Sequence, residues 1–107
     1  LLDFLRTHYF RPITLREAAE RIPLGERQFS RIFRQVAGLP FVKHLNRLRV
    51  KAALKILEGN GNIPAAAFEV GFENLAYFYR VFKKEMGMTP GEAVQKSRAR
   101  KKPFLIG

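Results

Sequence analysis

The chain has 107 residues, 47% of them hydrophobic, which suits one folded unit or two very small ones sharing an element and argues against disorder. It lacks cysteine, so disulfides and thiolate metal sites are excluded, and 20 Lys+Arg against 9 Asp+Glu give a formal charge of +11. The longest uncharged stretch, residues 59–68, is far short of the ~20 apolar residues of a membrane span, and Asp3, Arg6 and His8 interrupt any secretory signal. The expectation is a soluble intracellular protein, and a chain opening on Leu rather than Met reads as a piece of a longer one. So large a basic excess in a foldable chain points to a polyanionic partner, although Arg98, Arg100, Lys101 and Lys102 place four of the charges near the C-terminus.

In chain order, Leu1, Leu2, Leu5 and Tyr9 recur on one face of a helix, which Arg11-Pro12 ends. Thr14 and Glu17 have capping-box spacing and predict a short helix over 15–21, followed by a turn at Pro23-Leu24-Gly25. Phe29, Ile32, Phe33 and Val36 mark the buried side of a helix starting at Glu26, with Gly38 as its left-handed cap. Residues 41–58 predict one long helix with Phe41, Leu45, Leu48, Ala52 and Ile56 on its buried stripe, and Lys43, Arg47, Lys51 and Lys55 clear of it. Asn62 caps the next helix, Pro64 sits in its first turn, and Gly71-Phe72-Glu73 turns the chain. Asn74 caps a helix whose inner face is Phe78, Val81, Phe82 and Met86, ending at Gly87. Thr89 and Glu92 form a second capping box, opening a short helix that fades into the basic tail. No strand pattern occurs, so the expected fold is all-α.

The chain repeats itself. A shift of 49 places Phe29 on Phe78, Arg31 on Arg80, Phe33 on Phe82 and Gly38 on Gly87. A shift of 48 upstream places Ala18 and Ala19 on Ala66 and Ala67, and Ile22 on Val70. Each half is then a short helix with small residues, a tight turn and a longer helix. Alanines allow two helices to cross closely, and the turn sets the wide angle of a helix-turn-helix. Two such units (1–38 and 60–97) are expected on a connecting helix (39–59), with 98–107 as a basic tail. Units of this size are marginal alone and must lean on the shared helix.

The second helix of each unit buries only its Phe stripe. Its outward stripe is Arg27, Ser30, Arg31 and Arg34 in the first unit, and Ala76, Tyr79, Arg80 and Lys83 in the second, with Leu75 and Tyr77 flanking. The major groove of DNA admits one helix, and Arg is the commonest bidentate partner for guanine. A solvated role suffices for one exposed Arg; Arg31 and Arg80 at matched places of a repeat point to base reading. A connecting helix of roughly 27 Å approaches the ~34 Å between major-groove faces one turn apart, so both heads fit successive grooves. A head-to-tail repeat calls for an asymmetric site.

The residues also resemble a known family, the AraC/XylS-type bacterial transcription regulators, through the DNA-binding domain. The resemblance runs from Leu1 to Val94 and is strongest over 63–90, with Val70-Gly71-Phe72, Tyr77-Phe78, Arg80-Val81-Phe82-Lys83-Lys84 and Gly87-Met88-Thr89-Pro90. Arg49, Ala52, Ala53 and Leu57 resemble the family's connecting helix, and residues 29–34 with Gly38 its first recognition helix. It implies seven helices, promoter DNA as partner, RNA polymerase contact with activation as the expected output, and an effector or dimerisation domain in a missing N-terminal part. A cytoplasmic, nucleoid-associated location follows. Carried over by position, base contacts fall on Arg27, Gln28, Ser30, Arg31, Leu75, Ala76, Tyr77 and Arg80. Backbone contacts are expected from Arg34, Tyr79, Lys83 and Lys84. No cofactor or metal is implied. The chain departs from the family at Pro23-Leu24-Gly25, which lacks the usual Ser cap, and at Leu75-Ala76-Tyr77, where polar readers are frequent. The first head is therefore expected to dominate hydrogen-bond readout and the second to favour thymine methyls and the backbone.

Other classes fit less well. Two serines, one aspartate and two histidines without an acidic partner at regular spacing do not make a catalytic or zinc site. Gly59-Asn60-Gly61 lacks the Lys-Ser/Thr of a phosphate loop. An RNA-binding or ribosome-associated helical protein would not need the repeat with matched arginines. A lipid-binding helical module would gather its cations on one helix opposite an apolar face.

Overall fold

The computed structural model describes residues 2–10, 15–20 and 25–101. Among them are seven helices and no strand: α1 (Leu2–His8), α2 (Leu15–Glu20), α3 (Glu26–Ala37), α4 (Phe41–Gly59), α5 (Ile63–Glu69), α6 (Leu75–Met86) and α7 (Pro90–Lys101). The all-α expectation holds. The Thr14 cap of the first predicted capping box, the turn at Pro23-Leu24 and the far end of the basic tail lie outside the described residues.

The repeat exists in space. α3 and α6 each have twelve residues, and each ends on a left-handed glycine, Gly38 (φ 84°) and Gly87 (φ 74°). The two cap N–H groups donate to the carbonyls of Arg34 and Lys83, at 2.9 and 2.8 Å. Phe29 and Phe33 are buried with ring centroids 5.8 Å apart; their counterparts Phe78 and Phe82 are buried at 5.6 Å. Ala18, Ala19, Ala66 and Ala67 are also buried, where small side chains let α2 and α5 approach their neighbours.

Among the described residues there are two hydrophobic cores. Leu5, Ala18, Ala19, Phe29, Phe33, Phe41 and Leu45 form the first. Val50, Ala53, Leu57, Ala66, Ala67, Val70, Phe72, Phe78, Phe82, Ala93 and Val94 form the second. Helix α4 belongs to both, but not through the single stripe its sequence predicts. Leu48, Ala52 and Ile56 are only half-buried, and the fully buried positions switch from Phe41 and Leu45 to Asn46, Val50, Ala53 and Leu57. The second set follows a spacing of four, three and four, and it starts five residues after Phe41, which turns it about 140° from the Phe41–Leu45 side of the helix. The second core is therefore centred on a different side of α4 from the first, and Ala52 and Ile56 of the predicted stripe reach only its margin.

Two further expectations are corrected. Val36 is 72% exposed, because the buried side of α3 runs through Phe29, Phe33 and Ala37, a four-residue repeat that passes Val36 by. Helix α7 is not short: Ala93, Val94 and Ser97 are buried as it packs along α4, and the helix continues through Arg98 and Arg100. Its start is the predicted capping box. The Thr89 N–H donates to Glu92 Oε1 at 2.8 Å, and the Glu92 N–H donates to Thr89 Oγ1 at 3.1 Å. Hydrogen bonding from the Thr89 backbone N–H, and then from the Thr89 side chain, holds the Glu92 carboxyl below the usual carboxylate range.

Candidate nucleic-acid interface

α3 starts without a side-chain cap: Gly25 occupies the cap position with φ −73° and ψ 161°. Its first turns present Arg27, Gln28, Arg31 and Arg34 as exposed side chains, with Ser30 half-buried. Gly25, Arg27, Gln28 and Arg31 line one shallow concavity, so three of the four predicted base-contacting residues of this helix share a surface. Beneath them Phe33 packs edge-on against Phe41 and His44 of α4, at 5.5 Å each. Burial, with Arg47 and Lys51 nearby, lowers the His44 pKa, so this ring adds no fixed charge to the face.

α6 starts more firmly. The Asn74 side chain accepts the Tyr77 N–H at 2.8 Å, as predicted, and its first turn exposes Ala76, Tyr79 and Arg80, followed by Lys83 and Lys84. Leu75 and Tyr77 are half-buried instead. Leu75 packs against the second core. The Tyr77 hydroxyl accepts a hydrogen bond from the Asn46 side-chain amide at 2.8 Å, its ring lies 6.1 Å from Phe72, and the Arg80 guanidinium rests over it at 5.5 Å. Tyr77 is thus a shelf under Arg80, with its polar end turned to α4.

Sequence reasoning missed the residues that seat α6. Asn46 is buried on α4, and Arg47 donates from Nε to Glu85 Oε1 at 2.9 Å. Glu85 stands where the repeat places Val36 in the first unit, a side chain that can form no ion pair at that position. A groove beside these ties is lined by Val42, Lys43 and Asn46 from α4 and by Tyr77, Arg80 and Lys84 from α6. Asn46 is the one polar member of the second buried set on α4, and that is its signal in the sequence. Among the described residues, no His/Asp/Glu group could hold a metal ion, and no helix is long and apolar enough to cross a membrane.

Comparison with known proteins agrees with this geometry. A family model described as a helix-turn-helix domain matches residues 18–96. The HTH-type transcriptional activator RhaR of Klebsiella pneumoniae is 36% identical over 100 residues, covering 92% of this chain and 36% of that protein. The chain spans about a third of the length of such curated relatives. A probable AraC family transcriptional regulator from Rhodopseudomonas palustris superposes with a TM-score of 0.80 at 25% identity, covering 90% of this chain and 92% of that one. The DNA-binding domain of AdpA, solved with a target DNA, shares the fold with a TM-score of 0.88 at 23% identity, over 96% and 94% of the two chains. With two helix-turn-helix units in place and the family model covering most of its length, the chain belongs to the AraC-type helix-turn-helix family of DNA-binding domains.

Proposed function

We propose that the chain reads an asymmetric duplex site by placing α3 and α6 in successive major-groove segments, and that this binding regulates, and by preference activates, transcription. The observation that carries the reading is the matched pair of helices. Each is anchored by two buried phenylalanines and each displays an exposed arginine at the same place, Arg31 or Arg80. At about 1.5 Å per residue the 19 residues of α4 span about 28 Å, close to the ~34 Å separating major-groove faces one turn apart. A net charge of +11 supplies the attraction to phosphates.

Within this reading Arg27, Gln28, Ser30 and Arg31 contact bases in the first half-site. In the second, Ala76 and Arg80 meet the groove floor, while Leu75 and Tyr77 act from the rim. Arg34, Tyr79, Lys83 and Lys84 bind the backbone. The first head carries most hydrogen-bond readout, and the apolar Leu75-Ala76 start of α6 favours thymine methyls. Residues 1–38, 39–59 and 60–97 act as head, connector and head, followed by a basic end. RNA polymerase is the proposed protein partner; an effector or dimerisation domain would occupy part of the remaining length of the full protein.

Selection of duplexes from a random library tests the proposal. The expected product is a non-palindromic site with two conserved blocks about one helical turn apart. Recovery of single-stranded or RNA ligands in preference, or of one block alone, would contradict it.

A further inference from the structure

We propose that Arg49 sets the permitted spacing between the two half-sites, by locking the first core's entry helix to the turn of the second unit; this rests on the two-headed reading above. Arg49 lies midway along α4, half-buried, where the buried face changes sides. Its Nε donates to the Tyr9 carbonyl at 2.6 Å, and its guanidinium carbon lies 5.8 Å from the centre of the Phe72 ring. Tyr9 follows α1, which inserts Leu5 into the first core; Phe72 belongs to the second. One side chain therefore holds parts of both units, and Tyr9 itself packs against both cores. Burial lowers the Arg49 pKa, partly offset by Glu73 and Tyr77, so the charge is held among second-unit groups rather than in open water.

Gly71 supports the lock from the other side. The N–H of Gly71 bonds to the Phe68 carbonyl and that of Phe72 to the Ala67 carbonyl, a Schellman end for α5 with Gly71 at φ 106°. A Cβ on Gly71 would lie 2.8 Å from the Tyr9 oxygen, 2.9 Å from Arg49 Nε and 2.9 Å from the Phe10 carbonyl carbon. The backbone of the second unit's turn thus lies directly against the end of the first unit's α1. Nothing comparable is needed for either head to fold, since each has its own core. What the junction adds is a fixed angle between them, and a fixed angle makes the affinity of a two-headed binder depend on how its half-sites are spaced.

Two measurements on the whole chain test this. First, duplexes taken from the selection above are rebuilt with one or two base pairs inserted between the blocks. Wild type should lose tenfold or more per insertion, while Arg49→Ala should lose less than about threefold, with each isolated block bound as before. Second, the chain contains no cysteine, so nitroxides at Gln35→Cys and Glu69→Cys, both exposed, report the distance between the units without DNA. The distribution should be narrow in wild type and broad after Arg49→Ala at unchanged helix content. Arg49→Lys keeps the charge and loses the planar fork, and it should behave like Arg49→Ala; it also serves if the alanine variant does not fold. A distribution as narrow as wild type in the folded variants overturns the lock. Broadening without any duplex selected by wild type would keep the lock and remove the DNA reading.

Discussion

The Asn46 side-chain amide donates to the Tyr77 hydroxyl at 2.8 Å, tying the buried side of α4 to the first turn of α6. The bond crosses 31 residues of sequence and places a tyrosine ring under the arginine that the repeat singles out. Helix α6 is thereby tied to α4 by a polar contact, whereas α3 meets α4 through packed rings.

Tyr77→Phe should therefore cost more than one hydroxyl suggests. It leaves the Asn46 amide buried without its acceptor, at about 1–3 kcal/mol, while the ring under Arg80 persists. Urea unfolding measures the loss. Asn46→Leu combined with Tyr77→Phe should recover part of it, because both polar groups are then gone.

Arg31→Ala and Arg80→Ala should each weaken specific binding by about 1–3 kcal/mol and relax preference at a single base pair. Lys83→Ala should instead weaken every duplex alike and reduce the salt slope by about one. Titrations against base-substituted duplexes at two salt concentrations separate these outcomes. A steeper penalty for Arg80→Ala than for Arg31→Ala would reverse the proposed division of labour between the heads.

The helix ends give predictions of opposite sign. Gly25 has an ordinary φ of −73° with open space around its would-be Cβ, so Gly25→Ser should stabilise the chain by about 0.5–1 kcal/mol through a new cap and a stiffer unfolded state. Gly38 also has open space but sits at φ 84°, so Gly38→Ala should cost about 1–2 kcal/mol. Paired denaturation curves of the two variants decide both.

Acid should loosen the first core. Burial, then Arg47 and Lys51, depress the His44 pKa, so the unfolded chain takes up its proton at a higher pH than the folded one. The stabilising effect of the neutral ring is complete above pH ~6.5 and is lost as pH falls through the lowered folded value. His44→Gln should flatten that part of the stability-against-pH curve. An unchanged slope would show that another group governs it.

The sequence carried the repeat, the glycine and asparagine caps and the Phe pairs, because each depends on residues close together in the chain. The family resemblance, drawn from the same residues, agrees with the family match over 18–96. What escaped depends on contacts made at a distance. Local spacing puts Val36 on a buried stripe, but the position of Phe41 decides which side of α3 is covered. The single stripe on α4 is incomplete for a similar reason: its residues all meet a core, but nothing local says that a second partner covers Asn46, Val50, Ala53 and Leu57. Asn46, Arg47 and Glu85 acquire meaning only once α6 lies on α4.

The two offset stripes of α4 have an evolutionary corollary. One codon gained or lost between Leu45 and Val50 would leave each core its own buried set but swing one half of the molecule by about 100° against the other. Exchanging side chains on the exposed side of this rod leaves that angle alone, whereas changing its residue count cannot. Under the two-headed reading a new target is therefore reached more readily by altering the faces of α3 and α6 than by altering the length of α4.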